Sequence, residues 1–359
     1  MVYPDTFEGF AVQSAETWTQ PKRTEYTPRP FEDTDIDIKV IACGVCGSDV
    51  HTVTGGWGAC PYPLVVGHEI VGHVVRVGSK ATTGLKVGDR VGVGAQAFAC
   101  LQCQQCKNDN EIYCKHQLDT YGATFPGGFV SQGGYASHVR VHEYFVFPIP
   151  DALDTKLVAP MLCAGATAFS PLYRNGAAPG KKVGIVGIGG IGHFGILFGK
   201  ALGAEVWAIS RSNAKKEDAL NLGADGYIAT QEKDWAAPHA MTFDLIVNCA
   251  NSSKNFNLDD YLSLLDVNGK FINVGLPEGD GFQIHPFKMM GNAAVFGFSH
   301  IASRKEILYM LKLAAEKGIK PWIETVPVGE EGCGTALKRC HDNDVKYRFT
   351  LVDYEKAFN

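Results

Sequence analysis

The sequence predicts an α/β protein of two domains, one a β-barrel-type unit and the other a doubly wound parallel sheet. Three observations carry that expectation. The 359-residue length suits two domains at about 150 residues each. Residues 1–150 read as short β-branched runs broken by glycine turns. After Pro150, apolar runs of strand length alternate with helical spacing, the pattern of a parallel sheet covered on both faces.

The elements follow in order. Asp35 to Cys43 (DIDIKVIAC) alternates polar and apolar residues, and Ile70 to Val77 (IVGHVVRV) is rich in β-branched residues. Gly88-Asp89 and Gly133-Gly134 supply turns. Val183 to Gly187 is a short buried strand, and Ile191 to Leu202 has helical spacing. Strands follow at Glu205–Ser210, Asp244–Ala250, Lys270–Gly275 and Ala294–Ser299, with a polar helix near Lys215–Leu222. The tail from Arg304 holds an amphipathic helix (ILYMLKLAAEKG) and a last strand (YRFTLV).

Gly187-Ile188-Gly189-Gly190-Ile191-Gly192 fits G-x-G-x-x-G between a predicted strand and a predicted helix. Gly187 allows the tight turn, Gly189 lets a pyrophosphate approach the backbone, and Gly192 lets helix and strand pack closely. The helix N-terminus then faces the diphosphate. An NAD site places a carboxylate at the end of the second strand to accept from the ribose 2′-OH. This chain has Ser210-Arg211 there, with Lys215 just beyond. A hydroxyl and cations suit a 2′-phosphate, so NADP(H) is the expected cofactor. Val274 and Ser299 are further candidate contacts.

The chain has 11 cysteines, an odd number. They cluster instead of spreading as a secreted disulfide framework would, which points to a reducing compartment and to metal. Cys100, Cys103, Cys106 and Cys114 have the short spacings of a closed tetrahedral zinc site that leaves no position for substrate. Cys46 in CGVCGSDVH, His68 and Glu69 in VVGHEIVGH, and Cys163 in APMLCAGATA offer donors for a second, open zinc site, although spacing alone cannot pair residues so far apart.

Composition excludes other classes. Hydrophobic residues make up 45% and charged residues 20%, which argues against disorder. Lys and Arg total 33 against 38 Asp and Glu, for a net charge of -5, so a whole-chain grip on nucleic acid is not expected. The start, MVYPDTFEGFAVQSAETW, has no basic stretch followed by an apolar one, and no apolar run reaches the ~20 residues of a membrane span. A cytoplasmic location is the expectation.

The chain resembles the zinc-dependent medium-chain alcohol dehydrogenases, in their cinnamyl alcohol dehydrogenase branch. The resemblance runs nearly the whole length, through CGVCGSDVH, YPLVVGHEIVG, the four-cysteine lobe, QGGYASHVRV, APMLCAGATA, KKVGIVGIGGIGH, ISRS and KYRFTLV. The branch's zinc signature, GHE-x2-G-x5-G-x2-V, is met from Gly67 through Gly78, and Ala81 replaces its last Val. It implies a GroES-like catalytic domain of residues 1–155 and 302–359 and a Rossmann NADP-binding domain of residues 156–301. It implies two zinc ions per chain, held by Cys46, His68 and Cys163 in the catalytic site and by the four clustered cysteines in the structural one. Glu69 matches a carboxylate that approaches the metal during ligand exchange, and Asp49 matches the partner of the ligand histidine. Ser48 and His51 match the hydroxyl and imidazole of a proton relay. Trp57 in TGGWGACPYP matches an aromatic wall of the substrate pocket, with Leu118 and Tyr121 as lesser candidates.

The implied activity is reversible hydride transfer between NADPH and aldehydes, aromatic and aliphatic, giving primary alcohols. Polyol oxidation or reduction of a conjugated double bond on the same scaffold is the alternative. A homodimer pairing strands near Ala294–Ser299 is also implied, with no nucleic-acid or membrane partner.

Overall fold

The structure is a computed structural model and describes residues 4–251, 256–277 and 281–358. The chain divides into two compact units, one of Met1–Cys163 with Ser303–Asn359 and one of Ala164–Ala302. Among the described residues no helix is long and apolar enough to cross a membrane.

The first unit is built on a seven-stranded sheet. Its order is Ile323–Pro327, Arg348–Val352, Asp35–Val45, Glu69–Val77, Arg90–Val93 and Val146–Pro148, with His138–His142 also paired to Asp35–Val45. The polar-apolar alternation of Asp35–Cys43 reads as a strand with one wet face, but both faces are covered. Ile36, Ile38 and Val40 enter the apolar core with Ile70, Val91, Val141 and Leu351. On the other face Asp35 and Asp37 are buried too, and each is held by an arginine. Arg29 donates twice to Asp35 at 2.6 Å, and Arg140 donates to Asp37 at 2.8 and 3.0 Å. Bidentate guanidinium pairing is what makes such buried carboxylates tolerable.

The helix Arg304–Lys317 shows its sequence logic at both ends. Ser303 and Glu306 form a reciprocal capping box, and Gly318 closes the helix in the left-handed region at φ 63°. Ile307, Met310, Leu311 and Ala314 are buried at the spacing of one helical face.

The second unit is a six-stranded parallel sheet. Its order is Gly226–Ala229, Glu205–Ser210, Lys182–Val186, Phe243–Asn248, Leu265–Asn273 and Val295–Phe298. In chain order that is 3-2-1-4-5-6, the doubly wound arrangement that binds dinucleotides at the carboxyl ends of its strands. Because every pairing is parallel, Gly187, Ser210, Asn248, Val274 and Ser299 all lie at those ends. The helix Gly192–Ala201 follows the glycine turn directly.

Candidate active site

Two strands bring the first donors together. Gly44 pairs with Glu69 in the antiparallel register of Asp35–Val45 against Glu69–Val77. Cys46, just beyond the end of one strand, and His68, just before the start of the other, therefore emerge at the same edge. The close approach demands glycine at 44, because a Cβ there would lie 1.9 Å from Glu69 Oε2. Cys163 arrives from a short 3-10 turn, Ala159–Leu162, whose residues are all buried. The ligand atoms of Cys46, His68, Glu69 and Cys163 all lie within 4.8 Å of one another, and all four residues are buried.

Asp49 organises this cluster. It sits in the short helix Gly47–Val53 and is fully buried. Its carboxylate accepts from the Cys46 amide at 2.8 Å, the Tyr135 hydroxyl at 3.1 Å and the Gly67 amide at 3.2 Å. His68 Nδ1 lies 3.3 Å from it. That contact orients the imidazole so that Nε2 is left as the donor, and Nε2 is buried with no hydrogen-bond partner among the described residues. Asp49→Asn puts an NH2 where donors already point. It should cost about 10- to 100-fold in zinc affinity or activity, read by chelator competition and kcat.

The charges fit a divalent cation. The Cys46 thiol is held well below its ordinary range, first by a hydrogen bond from Cys163, with the Arg348 guanidinium and His68 adding to it against burial. Cys163 moves the opposite way, raised by that same bond and by burial. Two sulphurs that share one proton are a pair that a metal ion can take over by displacing it. Burial pushes the Glu69 carboxyl up to about 7, with Arg348 working against the rise. The two are in direct contact, Arg348 Nη2 donating to Glu69 Oε1. Two Cys and one His suit a zinc that keeps a position open.

The four clustered cysteines also converge. Cys103 and Cys106 sulphurs are 3.5 Å apart, Cys103 and Cys114 3.9 Å, and Cys100 and Cys114 3.5 Å. A tetrahedral zinc with bonds of about 2.3 Å sets its sulphurs about 3.8 Å apart, so the cage is already the right size. Backbone amides of Cys103 and His116 point at the sulphurs of Cys100 and Cys114, at 3.4 Å each. Such bonds draw the Cys100 thiol down to about 6.

Ser48 and His51 ride on the same short helix as Asp49. Ser48 is half-buried, and its Oγ lies 3.6 Å from Cys46 Sγ, beside the donor cluster. His51 stacks on Trp57, with ring centroids 4.6 Å apart and planes at 19°. Trp57 is 44% exposed. Tyr121 is buried against the His68 ring at 5.3 Å. Leu118 is half-buried, paired with Phe98 and packed against the core.

In the second unit the three motif glycines have three separate reasons. Gly187 turns at φ 82°. A Cβ at Gly192 would lie 2.0 Å from Gly187 O, while one at Gly189 would meet nothing within 4 Å. The open side at Gly189 is where a diphosphate can reach the backbone. Gly190 and Ile191 complete the turn into the helix. Lys215 Nζ donates to Ile188 O at 2.6 Å, so its cation lies against this loop. Desolvation lowers the Lys215 ammonium, Asp218 works against that, and the like charge of Arg211 adds to the lowering. Ser210 ends its strand and Arg211 is exposed beside it. Val274 is buried, its amide bonded to Asn248 O. Ser299 Oγ is buried with no partner among the described residues, a hydroxyl placed at the ligand-binding ends of the strands.

Two functional neighbours escaped the sequence reading. Arg348 lies in the quoted YRFTLV run, but nothing in its spacing shows that it faces Glu69. Tyr135 lies in the quoted QGGYASHVRV run, and its bond to Asp49 spans 86 positions.

Two family models match, the alcohol dehydrogenase GroES-like domain over residues 32–151 and the zinc-binding dehydrogenase over residues 190–316. The NADP-dependent alcohol dehydrogenase 6 of Saccharomyces cerevisiae is 53% identical over the whole of both chains. A solved cinnamyl alcohol dehydrogenase of Sorghum bicolor superposes with a TM-score of 0.91 at 32% identity, over 97% of each chain. The CAD of Helicobacter pylori, solved with NADP(H), gives 0.87 at 30% identity over 97% of this chain and 98% of that one. With both donor sets and the dinucleotide turn in place, the chain belongs to the zinc-binding, medium-chain alcohol dehydrogenases, in which a GroES-like domain accompanies a Rossmann-like one.

Proposed function

We propose that this enzyme reduces aldehydes with NADPH, aromatic ones such as cinnamaldehyde and aliphatic ones alike, and oxidises primary alcohols with NADP in reverse. Cys46, His68 and Cys163 hold the catalytic zinc, and Cys100, Cys103, Cys106 and Cys114 the structural one. The observation that carries this reading is the buried Cys46, His68, Glu69 and Cys163 cluster with the Ser48 hydroxyl beside it. When bound, NADPH supplies the hydride and zinc supplies positive charge for the substrate oxygen.

The chain's own residues do the rest. Ser48 O–H would donate a proton to the oxygen that gains negative charge as the carbonyl is reduced, and His51 would take a proton from solvent to replace the one that Ser48 gives up. Asp49 keeps His68 in one tautomer and one orientation. Arg348 holds Glu69 beside the zinc ligands. The reaction balances as aldehyde, NADPH and one proton giving alcohol and NADP.

Ser210, Arg211 and Lys215 favour the 2′-phosphate. Charge-assisted bonds of about 1.5–3 kcal/mol predict that Arg211→Ala weakens NADPH binding by roughly 10- to 150-fold. Titrating the fluorescence of bound NADPH checks this. Equal use of NADH and NADPH by the unmodified enzyme would overturn the assignment.

A substrate panel tests the reaction itself. Reduction of cinnamaldehyde to cinnamyl alcohol and of propanal to propanol is expected. Faster oxidation of a polyol such as mannitol, or reduction of the conjugated double bond in place of the carbonyl, would sink the proposal. The enzyme is further proposed to be cytoplasmic and homodimeric. Support for the dimer is the edge strand Val295–Phe298, where Val295 and Phe298 expose apolar surface.

A further inference from the structure

The strands Phe243–Asn248 and Leu265–Asn273 each end in asparagine after an apolar run. They pair in register, so Asn248 and Asn273 are direct neighbours at the carboxyl edge of the sheet. Both are buried. A buried amide is costly unless it is bonded, and these two bond in a chain. The Ala250 amide donates to Asn248 Oδ1 at 3.2 Å, Asn248 Nδ2 donates to Asn273 Oδ1 at 2.7 Å, and Asn273 Nδ2 donates to Gly275 O at 2.7 Å.

The two ends of this chain fix its polarity. A backbone N–H only donates and a backbone carbonyl only accepts, so each side chain between them must accept on one side and donate on the other. A carboxamide does both, whereas a carboxylate only accepts and an apolar side chain does neither. The loops so tied are in contact with each other, since a Cβ at Gly275 would lie 1.9 Å from Ala250 O. Ala250 also abuts the dinucleotide turn, because a Cβ at Gly187 would lie 2.8 Å from Ala250 N. Three segments therefore meet where the strand order reverses, between Lys182–Val186 and Phe243–Asn248. Ser210 and Arg211 lie on the side of the sheet that takes the adenosine half of NADPH. Phe243–Asn248 and Leu265–Asn273 belong to the other mononucleotide half, the side of the nicotinamide.

We propose that Asn248 and Asn273 are positioning residues for the nicotinamide half of NADPH. They act through the backbone of Ala250 and Gly275, setting the two loops against which the ring is held for hydride transfer. The inference rests on the placement of NADPH across these strand ends.

Three variants test it, Asn273→Leu, Asn248→Leu and the double Asn248→Leu/Asn273→Leu, which leaves no carboxamide without its partner and so is the least prone to misfold. Each is checked for two zinc atoms per chain. Hydride transfer is read by stopped-flow absorbance of NADPH in a single turnover with cinnamaldehyde. Binding of 2′,5′-ADP, which carries the adenosine and its 2′-phosphate but no nicotinamide, is read by calorimetry. All three variants should slow hydride transfer by roughly 10- to 100-fold, the scale of a misplaced reactant, while 2′,5′-ADP binds as tightly as to the wild type. That split separates positioning from a merely structural role, which would weaken both. A parallel loss of 2′,5′-ADP affinity would therefore overturn the inference. So would a wild-type rate in Asn273→Leu, the variant that takes the donor from Gly275 O. Failure of the wild-type enzyme to bind 2′,5′-ADP would overturn the placement of NADPH itself, and the role of the asparagines with it.

Discussion

Ser48→Ala lowers kcat for cinnamaldehyde reduction by roughly 10²- to 10⁴-fold, the range for losing a positioned proton donor, while both zinc atoms stay bound. The Ser48 hydroxyl is an O–H group set beside the donor cluster, 3.6 Å from Cys46 Sγ. Its loss leaves the product oxygen without a local proton, while Cys46, His68 and Cys163 are untouched. NADPH affinity stays near wild type, because the dinucleotide residues lie in the other compact unit. Ser48→Thr keeps the hydroxyl and is expected to retain most of the activity. Steady-state kinetics with metal analysis on the same preparations checks all of this. An alanine variant that kept most of its kcat would show that the proton comes from elsewhere.

His68→Ala has an effect at least as large, by a different route. It removes one of the three proposed zinc ligands and leaves Asp49 without the imidazole that lies 3.3 Å from it. Two sulphurs alone hold zinc poorly, so the purified variant should carry one zinc per chain in place of two and show no measurable turnover. The four-cysteine cage lies apart in sequence and draws on none of these residues, so its zinc remains. NADPH binding, read by fluorescence, should survive. Two zinc atoms in His68→Ala, or turnover with one, would remove His68 from the catalytic site.

The legible parts of the fold were those with strong local signals. Glu205–Ser210 is a strand with the boundaries that its short apolar run suggests. The helix Arg304–Lys317 carries its capping box and terminal glycine in the sequence itself. Other elements had no such signal. The helix Glu330–His341 contains two glycines and buries mainly Cys333, Ala336 and Leu337, so its apolar face is faint. Gly334 is needed there because a Cβ would lie 2.1 Å from Thr19 O, a contact between distant segments that no local window contains. The helix Ala164–Arg174 carries Pro171 in its interior, which local rules read as a break.

The site divides along the same line. The four-cysteine cage is local, spanning Cys100 to Cys114, and its chemistry was readable from spacing. The Cys46, His68 and Cys163 set is assembled by strand register and a buried turn, so only family likeness could pair those residues in advance. Arg348 and Tyr135 act on the site through tertiary contacts alone and were therefore invisible. Trp57 was legible as an aromatic near the site, but its stacking partner depended on left-handed glycines at 55 and 58.

The proposed enzyme works on NADPH with one closed and one open zinc site. Metal analysis of the purified chain, paired with NADPH-dependent cinnamaldehyde reduction by the same sample, tests it most directly. Two zinc atoms per chain with measurable reduction is the predicted result. One zinc or none in an active preparation would contradict it.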